Sequence, residues 1–132
     1  MKKYLYTLLL LTSCSAFAQS TNLSVLQKSM KSWQPLSITD KKGIVTLTMK
    51  NDQVTDTIYK SVITNGVCGP LWLDDKNTSY LKNTKEIRVL NKHNYIGPVF
   101  ENPRTSCDEL GKAKDDTAGI IISSHTHWHT NR

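Results

Sequence analysis

The chain has 132 residues, 38% hydrophobic and 21% charged, with 17 Lys and Arg against 11 Asp and Glu, a formal charge of +6. That size fits one domain with one core, and no apolar run approaches the 18 or so residues that a membrane-spanning helix needs. The basic residues are scattered and form no aromatic-basic stripe, which argues against a nucleic-acid footprint.

Residues 1–18 read as an export signal. Lys2 and Lys3 form a basic start, Tyr4 to Leu11 a short apolar run, and Ala16-Phe17-Ala18 a cleavage site ahead of Gln19. Leu11-Thr12-Ser13-Cys14 also resembles a lipoprotein box, so a lipid anchor at Cys14 is the alternative processing route. Removing the signal takes two lysines and no acids, leaving the mature chain at +4. The expected location is the periplasm or the medium, an oxidising compartment. There Cys68 and Cys107 are the two cysteines left to pair as a disulfide. Closing a loop of 39 positions stabilises by about 4 kcal/mol on the chain-entropy model.

Ser20, Thr21 and Asn22 can each cap a helix, and Leu23, Leu26, Met30 and Trp33 make its apolar stripe, ending before Pro35. Pro35 to Lys42 reads as a linker turning at Asp40-Lys41-Lys42-Gly43. Ile44 to Met49 alternates as a strand with Val45, Leu47 and Met49 on one face. Thr55 or Asp56 caps a second helix with Ile58, Tyr59, Val62 and Ile63 on its face, and Asn65-Gly66 is expected to stop it. Gly69-Pro70 is then expected to turn the chain just after Cys68.

Leu71 to Lys85 reads as an ordered loop pinned by Trp72. Glu86–Leu90 and Tyr95–Phe100 form a hairpin, with Gly97-Pro98 marking a bulge or an edge in its second strand. Ser106 and Glu109 fit a capping box that places Cys107 in the first turn of a third helix. Ile120 to Ile122 reads as a last short strand, and about 123–132 as a polar, His-containing tail of a single mature domain spanning 19–132. The fold class is α+β: short helices packed on a small, largely antiparallel sheet, with one disulfide.

Four kinds of chemistry can be weighed. Cys68-Gly69-Pro70 resembles the start of the Cys-Gly-Pro-Cys motif of thioredoxins, but Leu71 stands where the resolving cysteine belongs, so a structural disulfide is the stronger reading. His125, His127 and His129 form a His-x-His-x-His cluster whose nitrogens suit Zn, Cu or Ni. No Gly-x-Ser-x-Gly elbow, His-Glu-x-x-His pair or phosphate loop occurs. Asp74-Asp75 and Asp115-Asp116 read as turn residues. No catalytic residue is therefore assigned and no cofactor is required. Trp72, on a loop held beside the disulfide, is the candidate contact for a protein partner.

The leading expectation is a small exported envelope protein acting as a binding factor, of the inhibitor or immunity type. The alternative is a periplasmic metal binder using the histidine tail. A third reading is an enzyme whose site is assembled from distant residues.

Overall fold

The computed structural model describes residues 20–74, 76 and 78–131; the export signal and Cys14 lie outside them. The chain forms an α+β domain with a five-stranded sheet in the order β1-β2-β3-β4-β5. β1 (Ser37–Lys41) and β2 (Ile44–Thr48) make one antiparallel hairpin, and β3 (Glu86–Leu90) and β4 (Ile96–Glu101) another. β5 (Thr126–Thr130) adds antiparallel to β4, and β2 joins β3 in parallel, with Ile44 beside Glu86. Val45, Leu47, Ile87, Val89 and Phe100 point from the sheet into one core shared with the helices. Each such side chain contributes roughly 1.5–3 kcal/mol of transfer free energy.

The first hairpin replaces the expected linker. Its two-residue turn is Lys42-Gly43, with φ of 53° and 80°, the left-handed pair that matches the twist of the flanking strands. The turn signal was in the right place; β1 escaped notice because Ile38 is the only large apolar residue it contributes.

Helix α1 (Thr21–Ser29) begins where expected, with the Ser20 hydroxyl accepting from the Leu23 amide at 3.2 Å. Its stripe delivers Leu26 and Met30, both fully buried, to the core. Thr55 caps the next helical stretch, accepting from the Ile58 amide at 3.2 Å. That stretch does not stop at Asn65-Gly66. α2 (Asp56–Ser61) runs into a π-helical turn, Val62–Cys68, and on into α3 (Gly69–Leu73). Gly66 serves close packing rather than termination. A Cβ there would sit 2.4 Å from the Met30 sulfur, and the Ser29 hydroxyl donates to its carbonyl at 2.6 Å. Pro70 lies just after the π-helical turn and continues the helical backbone rather than turning the chain.

Residues 78–81 are tied to the core, and Trp72 is not what pins them. Tyr80 and Leu81 are fully buried. The Tyr80 hydroxyl donates to the Val67 carbonyl at 2.8 Å, the Leu81 amide to Asn22 Oδ1 at 2.7 Å, and Arg104 Nη1 to the Thr78 and Tyr80 carbonyls at 2.8 Å each.

β4 is interior rather than an edge, although it carries Gly97-Pro98. Pro98 has no N–H to offer β3, and the ladder between them ends at the Arg88–Val99 pair. There the Val89 carbonyl approaches so closely that a Cβ on residue 97 would lie 1.9 Å from its oxygen. Only glycine fits.

α4 (Pro103–Gly111) opens on Asn102 and Pro103, not on a capping box. The Ser106 hydroxyl donates back to the Glu101 carbonyl at 2.7 Å, and Cys107 lies in the second turn. Residues 118–124 form α5 (Ala118–Ser124), not a strand, because Ala118, Ile121 and Ile122 make a helical face that packs on the core. Cys68 and Cys107 are joined as a disulfide with Cα atoms 5.3 Å apart, both fully buried. No helix among the described residues is long and apolar enough to cross a membrane.

Candidate functional site

Trp72 stands where the two cysteine-bearing helical segments meet. Its indole lies across α4, with Nε1 donating to the Cys107 carbonyl at 3.1 Å. The close fit depends on Gly111, where a Cβ would be 2.8 Å from Nε1. With its one polar atom satisfied by the backbone beside the disulfide, the side chain is still 40% exposed. It forms a wall of a shallow groove of about 510 Å³, lined also by Thr64, Leu110, Gly111, Ala113 and Ala118. Leu73 and Ile120 stand exposed on the two helices that supply Trp72 and Ala118. The groove is apolar, and its tryptophan is held at the ring edge by a hydrogen bond and along the chain by the disulfide.

Cys68 is in no position for thiol chemistry. It is buried, inside continuous helical backbone, and bonded to Cys107.

The three histidines are ordered by the sheet, and each has its own partner. His125 Nε2 meets Glu109 at 2.8 Å. His127 Nδ1 donates to Glu101 at 2.7 Å, and its Nε2 lies 3.9 Å from Glu86. Glu86 is itself held by Arg88, through Nη2 at 2.8 Å and Nε at 2.9 Å. His129 Nε2 donates to Asn131 Oδ1 at 2.7 Å. The three imidazoles do not converge on one point. Among the described residues, no group of three or more His, Cys, Asp and Glu side chains is arranged to hold a metal ion. Glu86, Arg88 and Glu101 were missed in the sequence because only the register of β3, β4 and β5 brings them beside His127.

A second, smaller cavity of about 230 Å³ opens between α2 and β5, with Val54, Tyr59, Pro98, Thr126 and Trp128 among its walls. Thr126 donates to the Ile122 carbonyl at 2.6 Å and accepts from the Tyr59 hydroxyl at 2.7 Å. Burial pushes the Tyr59 phenol well above its ordinary pKa, outweighing the Thr126 hydrogen bond, and burial does the same to Tyr80. Neither phenol becomes a base near neutral pH. On the opposite hairpin, the Lys92 ammonium holds the exposed Asp52 carboxyl below its usual range. Asp74, Asp115 and Asp116 sit exposed around turns, as turn residues do.

Compared with protein-family models, with curated proteins and with solved structures, the chain matches none of them.

Proposed function

We propose that this protein is a small exported binding factor of the bacterial envelope, an inhibitor or immunity-type protein that occupies a protein partner through the groove beside its disulfide. The observation that carries this reading is the state of Trp72. The ring keeps 40% of its surface in solvent while its N–H is bonded to the Cys107 carbonyl. A large aromatic side chain that is already ordered loses little entropy when a partner covers it, and tryptophan is over-represented among residues that dominate interface energies.

The test is a pull-down from envelope extract with wild-type and Trp72→Ala baits, each first shown by circular dichroism to be folded. A partner retained by the wild type and lost by W72A supports the reading. Identical captured proteins from both baits would remove the groove as the contact surface. A partner held by the groove should bind W72A at least about 30-fold more weakly, the 2 kcal/mol or more expected of a central anchor.

A further inference from the structure

The outer edge of β5 has a property that the groove reading leaves unused. The Glu101 amide donates to the His125 carbonyl, and the Asn131 amide to the Tyr95 carbonyl, at 2.8 Å each. Odd-numbered residues of β5 therefore face β4, and the amides and carbonyls of Thr126, Trp128 and Thr130 point away from the sheet. The strand reads Thr-His-Trp-His-Thr, the same in both directions.

A two-fold axis through Trp128 sets this strand antiparallel to itself in register. Thr126 then meets Thr130 of the second copy, Trp128 meets Trp128, and His127 meets His129. Isologous interfaces require such reciprocity, and Thr–Thr and aromatic–aromatic cross-strand pairs are favourable ones. Trp128, 62% exposed in the single chain, would be covered by its counterpart. The outward residues fall at hydrogen-bonded positions, so each His127–His129 pair occupies a non-hydrogen-bonded position. There Cα atoms approach to about 4.5 Å and side chains lie closest. Two such pairs stand side by side on the outer face of the sheet.

We propose that β5 is the seam of a two-fold dimer in which His127 and His129 of both copies bind one divalent transition-metal ion of the zinc, copper or nickel class. A single chain supplies two imidazoles on this face, and among the described residues no three His, Cys, Asp or Glu side chains are arranged to hold a metal ion, so the second copy completes the site. His127 is prepared for the role. Its Nδ1 donates to Glu101 at 2.7 Å, the carboxylate–histidine arrangement that fixes the ring of a metal ligand and leaves Nε2 to coordinate. A seam of five residues a side falls short of the roughly 800 Å² per partner of a standard stable complex. The metal is accordingly what holds the dimer together.

The experiment is a titration of the purified mature chain with Zn²⁺, Cu²⁺ and Ni²⁺, following molecular mass by sedimentation and metal content by elemental analysis. The expected result is a dimer with one ion per two chains, returned to monomer by chelator. H127A and H129A should each weaken metal binding by more than about 100-fold, beyond the range for losing a supporting residue alone, and E101Q by about 10- to 100-fold. H125A should bind and dimerise as the wild type does. W128P keeps all the histidines but removes an outward amide that β4 does not use, and should stay folded and monomeric. One ion per chain in a monomer, equal losses from H125A and H127A, a dimer unaffected by W128P, or no metal-linked change of mass would each overturn the proposal.

Discussion

Two tryptophans mark opposite strategies in this small domain. Trp72 lies where a disulfide, a glycine and a backbone carbonyl fix it, and it offers a surface with its geometry settled in advance. Trp128 lies on an edge strand whose outward amides and carbonyls have no partner among the described residues, and it offers a pattern for another strand to complete. The first region is suited to a partner of different shape and the second to a copy of itself. The lesson is that exposure alone says little about what an aromatic residue is for. What its backbone and its polar atom are already doing says more.

The comparison can be broken most forcefully at the disulfide. Replacing Cys68 and Cys107 together by Ala is expected to lower the unfolding free energy by about 4 kcal/mol, measured by urea titration, and to loosen the Trp72 groove. If the folded fraction still forms the metal-linked dimer, the two regions are independent. Next comes Gly97→Ala, which drives a Cβ into the Val89 carbonyl. Backbone must move, so a loss of about 3 kcal/mol is expected, with β4 and β5 affected before the groove.

Each region also rests on a buried phenol, Tyr80 under the π-helical turn and Tyr59 against Thr126. Both have folded-state pKa values raised by burial. Their contribution to stability is therefore complete below pH 10 and declines as the pH rises above it, because the unfolded chain ionises there first. The expected slope approaches about 1.4 kcal/mol per pH unit per tyrosine. Denaturation of Y59F and Y80F between pH 9 and 11 should show about half the wild-type slope in each. An unchanged slope in either variant would mean that its tyrosine ionises in the folded state. The smallest effect is Gly111→Ala, which pushes the indole of Trp72 off α4. A loss of about 1 kcal/mol is expected with the hydrogen bond to Cys107, together with a red shift in tryptophan fluorescence.

How much of this was legible in the sequence depended on where each element sits. β2, the β3–β4 hairpin and α1 are flanked by core, so burial imposed periodicity on their residues. The α+β class and the Cys68–Cys107 pairing followed from them and from counting cysteines. β1 and β5 are the two edges. They bury less, carry polar residues, and so read as linker and tail. The glycines misled for a related reason. Gly66 and Gly97 answer to Met30 and to the Val89 carbonyl, neighbours that only the tertiary fold supplies. The partners of His125 and His127 were invisible for the same reason, since Glu109 is 16 positions from one and Glu101 26 from the other.

The parallel pairing of β2 with β3 has a consequence for how the chain assembles. β1–β2 and β3–β4 are hairpins that can close on microsecond timescales, but the pair that unites them matches Ile44 with Glu86 across the whole helical crossover. Loop-closure entropy must be met before that contact returns anything, which makes docking of the two halves the expected slow step. Cys68 belongs to the crossover and Cys107 follows the second hairpin. Native oxidation therefore reports on that docking, and a pulse of thiol-blocking reagent during refolding would read the event directly.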